Sequence, residues 1–424
     1  MGNALIQLVA VGPQNLVMNS DPEATLFKGF FKRITMFAIE SVAQTFTGSV
    51  GFGNKVTATI SRNGDLLTKM VLEVTLPGLT STASATPTLD TYTVEYVDNI
   101  GHHLLREVEL EVGGISIVKH YGRWLQIWQE LTRPSEKDAG YGKMIGSKSQ
   151  RTDLSNTGAE TVSVSAPSSK LYIPLQFWFC NNYSLAFPLI ACAYHDVKVN
   201  ITFASLSEIT NSYVTPDDPM NPEITATAVS ASGSLDATLY VDYVFLDNDE
   251  RRNFATSAHE YLIEQLQYPS AESHSGQSQI NRRLDGFNHP VKELVWVVQL
   301  DSVLSNSADK DLNDFSASGA QMVSSAKLLL NGTDRFSERS GDYFNWVQPH
   351  QHHTRSPSTG IYVYSFATEP EKHQPTGTCN FSRIDNATLQ LNLSSTDASK
   401  SHVYMVNYNV GRFVSGMFGQ AFAA

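Results

Sequence analysis

Charge is scarce in this 424-residue chain: Asp, Glu, Lys and Arg make up 17% of it, against 41% apolar residues. Ser, Thr, Asn and Gln must therefore cover much of the surface, which suits extended protein–protein contact. Basic clusters are also missing. The net charge is −12, the pI is near 5.4, and the densest groupings are the pairs Arg251-Arg252 and Arg282-Arg283. A nucleic-acid binder needs a basic face, so no direct nucleic-acid binding is expected. Only three cysteines occur, Cys180, Cys192 and Cys379, and none is in a CxxC pair. That excludes a disulfide framework and a cysteine zinc site, and points to reduced, buried thiols in an intracellular folding compartment. No apolar run is long enough to span a bilayer as a helix. The opening MGNALIQLVAVGPQNLVMNSDPE lacks a basic n-region and a sustained apolar stretch, so it does not read as a signal peptide, and Ile6 breaks the myristoylation pattern.

Catalytic patterns are equally sparse. There is no GxSxG, and GSVGFGNK (48–55) lacks the ending and the following helix of a phosphate loop, so it reads as a turn. Cys192 lies near His195, and the pair reads as a core thiol and a surface imidazole. Glu109 and Glu111 fall on the wet face of a strand as solvated charge. His350, His352 and His353 form HQHH, and His102-His103 is a second pair. On a strand, His350 and His352 would share a face and could share a metal. With Pro349 and Pro357 beside them and no neighbouring carboxylate in sequence, polar packing or a subunit contact is the stronger reading. No catalytic, cofactor-binding or metal residue is assigned, and no cofactor is expected. A sugar-binding sandwich would need exposed aromatics; Trp178 and Trp346 are the candidates, and both sit in apolar runs that read as core. A cupin-like enzyme would need histidines plus a Glu on facing strands, and no such set is found.

What the chain does have is a repeat. VELEVGGISIVKHYGRWLQIW (108–128) is echoed by AKLLLNGTDRFSERSGDYFNW (326–346), with the same spacing from Gly114 to Trp128 and from Gly332 to Trp346. LYIPLQF (171–177) is echoed by IYVYSFA (361–367), DVKVNITF (196–203) by NATLQLNL (386–393), and VDYVF (241–245) by VNYNV (406–410). Upstream, GDLLTKMVLEV (64–74) is echoed by GFNHPVKELVWVV (286–298). The order is kept while the offsets drift, as in two tandem copies of one β-domain with different loops. Strict period-2 alternation, as in Val197, Val199, Ile201 and Phe203, predicts strands with one buried face. Gly113-Gly114 predicts a hairpin turn.

Helical spacing is confined to Arg123–Leu131, with Trp124, Trp128 and Leu131 on one face, and to Asp249–His259, with Asp247 or Asn248 as N-cap. Long Ser/Thr/Gly/Pro-rich loops are expected at 80–91, 134–169 and 206–234, gathered at one end of the first copy, and at 301–322 and 347–358 in the second.

The expected fold is all-β: two tandem eight-stranded antiparallel jelly rolls, favoured over two immunoglobulin-like sandwiches, with short helices in the connections. The expected parts are an N-terminal arm (1–24), a first roll (25–247), a helical connector (248–259) and a second roll (260–424).

Several segments are similar to one family. FAIESVAQTFTGSVGFGNKVTATISRNGDLL (37–67), VDYVFLDNDERRNFATSAHEYLIEQLQ (241–267), NHPVKELVWVV (288–298), VQPHQHHTRSPSTGIYVYSFATEPEKHQPTGTCNFSRIDNATLQL (347–391) and NYNVGRFVSGM (407–417) resemble the major capsid protein of nucleocytoplasmic large DNA viruses, of the algal-virus type. The resemblance covers most of both halves and leaves out 80–100, 134–169 and 206–234. It implies a double jelly roll and a non-enzymatic, structural role. It implies a homotrimeric capsomer of pseudo-hexagonal outline, tiling an icosahedral shell over an internal membrane. Its partners would be neighbouring capsomers, minor capsid proteins and penton proteins. It also implies assembly in the host cytoplasm, late synthesis, an arm running toward the membrane or a minor protein, and outward loops able to carry sugars. The candidate glycosylation sequons are Asn182, Asn331, Asn380, Asn386 and Asn392, with Asn331 in a predicted Asn-Gly turn.

Overall fold

The computed structural model describes residues 4–84, 91–148, 155–157, 161–166, 168–215, 229–305 and 310–422. The chain divides into two compact units, Met1–Met36 and Phe37–Ala424. The first holds two short helices, α1 (Ala4–Val9) and α2 (Pro13–Asn19), neither with a buried residue. Helices this short have little stability of their own, and their apolar side chains, such as Ile6, Val9 and Val17, are exposed.

Sixteen principal strands build the second unit. The first eight are β1 (Phe37–Gln44), β2 (Lys55–Thr59), β3 (Leu66–Leu76), β4 (Leu105–Val112), β5 (Ile115–His120), β6 (Ser169–Pro174), β7 (Val197–Phe203) and β8 (Asp236–Leu246). The second eight are β9 (His259–Gln267), β10 (Gln279–Arg283), β11 (Pro290–Leu300), β12 (Val323–Leu330), β13 (Thr333–Asp334), β14 (Ile361–Ser365), β15 (Ala387–Leu393) and β16 (Ser399–Val414). The first set forms sheets in the order β1-β8-β3-β6 and β2-β7-β4-β5, the second β9-β16-β11-β14 and β10-β15-β12-β13. Adding eight to every label of the first half yields the second. Two antiparallel four-stranded sheets in this order make a jelly roll, so the expected double jelly roll is the fold observed.

Alternation explains each core. Leu72 and Val74 from β3, Val108 and Leu110 from β4, and Val199 and Ile201 from β7 point between the sheets of the first roll. Trp296, Leu328, Leu389 and Met405 do the same in the second. The two hairpins that follow β4 and β12 turn by the same device. Gly113 and Gly114 have φ of 61° and 86°, Asn331 and Gly332 of 50° and 76°. Two consecutive left-handed residues match the twist of the strands they join.

Three helices matter in the connections. α3 (Gly122–Thr132) follows β5, where helical spacing places it. α4 (Asn248–Thr256) is capped by Asp247, whose side chain accepts from the Asn248 N–H at 2.8 Å, with Asp249 and Glu250 in its first turn. α5 (Gln348–His352) continues a π-helical turn, Tyr343–Val347.

The insertions of the first roll depart from the loop reading. Leu79–Ser84 pairs with Thr161–Ala166 and Val229–Ala231, and Thr91–Tyr96 pairs with Ser155–Thr157 and Thr210–Thr215, giving two further three-stranded sheets. The three insertions do gather, but as sheet. Thr and Ser in short runs read as loop, whereas pairing between segments far apart in sequence makes them strands. Part of 134–169 is helical, at Asp138–Ile145, and the stretches 85–90, 149–154, 158–160, 167, 216–228 and 306–309 of the expected loops lie outside the described residues.

Gly122 opens α3 where no side chain fits: a Cβ there would lie 2.3 Å from the His102 carbonyl oxygen and 2.6 Å from that of Leu105. Gly140, inside the helix Asp138–Ile145, has open space around it. Gly122→Ala is expected to cost more than about 2 kcal/mol, while Gly140→Ala stabilises by up to ~1 kcal/mol. Thermal unfolding of the two variants checks this; equal effects would contradict the close approach at Gly122.

Candidate functional site: the seam between the rolls

The face of α3 that carries Trp124, Ile127 and Leu131 recurs at helical spacing. It lies on the outer face of the sheet β9-β16-β11-β14, against Val295, Val297, Ile361, Val363, Tyr404 and Val406. The Trp124 ring is 5.3 Å from Tyr404 and 5.4 Å from Trp128, centroid to centroid. β11 is therefore apolar on both sides: Leu294, Trp296 and Val298 face into the second roll, Val295 and Val297 face the helix of the first. Leu125 turns the other way, into the first roll's core.

Polar contacts rim this junction. The Ser358 N–H and hydroxyl donate to Glu130 Oε2 at 3.1 and 2.6 Å. Arg355 Nη1 donates to both Asp138 oxygens, at 2.6 and 2.5 Å. Arg123 Nη1 lies 3.2 Å from His402 Nδ1, and Tyr268 Oη 2.8 Å from the same atom. The end of β16 and the strand Met417–Gln420 make a second junction. Phe413 and Phe418 join the first roll's core, with Phe413 at 5.0 Å from Phe187, and the Tyr194 N–H donates to the Gly416 carbonyl at 2.9 Å.

Behind Trp128 sits a group of buried charges. Lys292 is fully buried; its Nζ lies 2.8 Å from Glu264 and donates to the Pro370 carbonyl at 2.7 Å, with the rings of Trp128 and Tyr408 each 5.7 Å away. His353 lies between Glu293 (3.2 Å) and Glu371 (3.0 Å). Burial would lower the pKa of His353, but the hydrogen bonds and charge of Glu293 and Glu371 outweigh it and raise it to about 9. Burial pushes Glu371 up, and its bonds from His353 and Thr354 outweigh that and hold it below the usual carboxylate range. A cleft of about 310 Å³ lined by Trp128, Gln176, Trp178, Glu264 and Glu371 opens beside them. The arrangement is a set of paired charges, all from the second roll, closed on the side of the first roll by the Trp128 ring.

Several residues singled out by sequence fall elsewhere. His350 and His352 are on α5, not on a strand. There, positions two apart diverge, so the shared metal face is lost; His352 Nδ1 lies 2.9 Å from the Thr368 carbonyl. His353, by contrast, has two carboxylate partners that local sequence could not reveal. Among the described residues no group of three or more His, Cys, Asp or Glu is placed to hold a metal. Glu109 is buried rather than solvated, between Asn200 (3.2 Å), Lys119 (3.4 Å) and Lys55 (3.7 Å). Trp178 is buried, but Trp346 is 57% exposed and is no part of the core. The π-turn gives the core side to Phe344 and Asn345 and turns Trp346 out. All three cysteines are free thiols; Cys192 is buried, and burial pushes Cys180 up to about 12.

The sequons sort by exposure and by engagement of Nδ2. Asn331, Asn380 and Asn386 are exposed. Asn182 is half-buried and accepts from the Ser184 N–H and hydroxyl. Asn392 donates through Nδ2 to Ser325 and Glu338, each at 2.7 Å. A further sequon at Asn200, not singled out above, is buried on β7 with Nδ2 donating to Glu109 and Glu111.

Comparison with known proteins settles the family. The description "Major capsid protein N-terminus" matches residues 25–247, and "Large eukaryotic DNA virus major capsid protein" matches residues 250–419. The chain belongs to this capsid protein family. It is similar to the major capsid protein of Pyramimonas orientalis virus, at 43% identity over the whole of both chains, and to those of Phaeocystis pouchetii virus (39%) and Paramecium bursaria Chlorella virus 1 (38%), also over the whole of both. Among solved structures, a quasi-atomic model of the PBCV-1 virus capsid matches with TM-score 0.75 and 34% identity over 94% of this chain and all of that one. The Faustovirus major capsid protein shares the fold, with TM-score 0.74 at 13% identity over 96% of each chain. This major capsid protein is a structural component of the virion, not an enzyme, and assembles with other copies of itself.

Buried histidines make capsid-protein stability depend on pH. Burial lowers His102 to about 3, His103 to about 4, His120 to about 4 and His402 to about 2. These groups bind protons more readily unfolded, so their stabilisation is full above pH ~6.5 and is lost as pH falls toward those values, at roughly 1.4 kcal/mol per histidine per pH unit. His353 has the opposite sign: its contribution is full below pH ~6.5 and is lost as pH rises through about 9. The melting temperature is expected to peak near pH 6.5 and to fall on both sides, more steeply toward acid. A flat profile from pH 7 to 4.5 would contradict the buried neutral histidines.

Proposed function

We propose that three copies of this chain form a capsomer of pseudo-hexagonal outline that tiles the icosahedral shell of a large double-stranded DNA virus. The observation that carries this reading is the duplication itself, two rolls with the same strand order and the same hairpin turns in one chain. Three chains then present six similar sides, and a surface poor in charge lets one capsomer meet many neighbours. In this reading the first roll (25–247) and second roll (260–424) are joined by the connector 248–259, and the insertions of the first roll face outward. The arm (1–24), with its exposed apolar helices, runs toward the internal membrane or a minor capsid protein. Neighbouring capsomers, minor capsid proteins and penton proteins are the partners, nucleic acid is not contacted directly, and synthesis, late in infection, and assembly take place in the host cytoplasm. Of the sequons, Asn331, Asn380 and Asn386 are the proposed glycan acceptors, because their side chains are exposed, whereas Asn182 is half-buried and the Nδ2 of Asn392 is taken up by Ser325 and Glu338.

Light scattering of the purified chain tests the reading. Three chains of 46.7 kDa each are expected in one stable particle. A monodisperse monomer at micromolar concentration would contradict autonomous capsomer formation.

A further inference from the structure

The seam inside the chain has two halves, a helical segment that follows a hairpin and the outer face of a sheet. Each half exists a second time, and the second pair is unmated. The segment equivalent to α3 begins at Gly341. Like Gly122, Gly341 leaves no room for a side chain, since a Cβ would lie 2.0 Å from the Val323 carbonyl oxygen. Leu125 and Phe344 both enter the core of their own roll. Gln126 and Asn345 are both buried and tied to their own roll, Gln126 Oε1 lying 2.8 Å from His102 and Asn345 Nδ2 donating to the Ile361 carbonyl at 2.8 Å. These anchors pair Trp124, Ile127 and Trp128 with Tyr343, Trp346 and Val347. The first three are covered by the second roll; Trp346 is 57% exposed and Val347 39%.

The receiving face also recurs, in register. In the second roll Val295 pairs with Tyr404 and with Val363 across the sheet. In the first roll Val71 pairs with Tyr240 and with Pro174, and Glu73 with Tyr172. Tyr240 therefore occupies the place of Tyr404, the ring on which Trp124 packs. On the first roll this outer face carries Val71, Tyr172 and Tyr240, with Tyr172 40% exposed and Glu73 held by Lys170 at 2.8 Å.

We propose that Trp346 and Val347 of one copy dock on the outer face of the sheet β1-β8-β3-β6 of a second copy, around Val71, Tyr172 and Tyr240, repeating between chains the seam that exists within each. The contact is heterologous, so it closes a ring only at a fixed number of copies. It rests on the trimer reading and names its central anchor: a large aromatic in a shielded pocket carries most of such an interface.

Because Trp346 is exposed in the single chain, Trp346→Ala leaves the fold intact. It is expected to raise the dissociation constant of the trimer about 100-fold, giving monomers at micromolar concentration with an unchanged far-UV circular dichroism spectrum. Tyr240→Lys on the receiving face acts the same way, and Ile115→Ala, exposed but on neither face, leaves the mass at three chains. Acrylamide quenching, read as the difference between the native chain and Trp346→Phe, is expected to show Trp346 shielded in the trimer. If both Trp346→Ala and Tyr240→Lys remain trimeric and Trp346 stays open to quencher, the docking is overturned while the trimer stands. A monomeric native chain overturns both. Trp346 shielded in a monomer assigns its cover to another segment of the same chain and overturns the docking.

Discussion

A β-sheet has two faces, and a two-layer sandwich buries only one of them. The second roll of this capsid protein has a sheet whose outer face is as apolar as its inner one, and the first roll supplies the layer that covers it. Within β11, Leu294–Val298 reads as an unbroken apolar run because Trp296 and its neighbours fill the sandwich while Val295 and Val297 meet Trp124 and Ile127. The helix α3 can serve two cores because Leu125 and Gln126 anchor it to one roll while Trp124, Ile127 and Leu131 face the other. The rolls are therefore not beads on a linker; removing either would expose an apolar sheet face or an aromatic helix face.

The buried charges beside this seam refine it. Lys292 and His353 cost desolvation, and the chain offsets that cost by placing Glu264, Glu293 and Glu371 against them. These pairs join segments of the second roll to one another; the polar contacts that cross the seam, and that a shift of one roll on the other would break, include those of Arg355 with Asp138 and of Ser358 with Glu130. The histidines that are buried neutral work in the same region: His103 lies 2.7 Å from Asn313 of the second roll, and His402 faces Arg123 of the first. Rigid alignment of two rolls follows from apolar area, and its specificity follows from these few polar groups.

Much of this was legible in the sequence. The echo of 108–128 in 326–346 marked two copies of one hairpin, and Gly113-Gly114 with Asn331-Gly332 marked its turn. Trp124, Trp128 and Leu131 marked the one amphipathic helix with a wide apolar face. What local pattern could not reveal was which apolar residues meet a second body. Trp346 read as core because its neighbours are apolar, yet a π-turn sends Phe344 inward and Trp346 out. The same limit hid the partners of His353, which lie 60 and 18 residues away in sequence (353 − 293 and 371 − 353). It also hid the pairing of the Ser/Thr-rich insertions, whose strands find each other only in the folded chain. The equal spacing of Trp128 and Trp346 was itself off by one in three dimensions, since the buried Leu125 and Phe344 set the true correspondence.

The central claim is that one seam geometry serves both within the chain and between chains. A density map of the purified capsomer, at a resolution that shows side chains, tests it most directly. The expected map is a three-fold particle with six similar junctions, three formed by Trp124 on Tyr404 and three by the Tyr343–Val347 segment on Tyr240 of the next copy. A three-fold particle whose chains meet through other faces, with Trp346 in solvent, would contradict it.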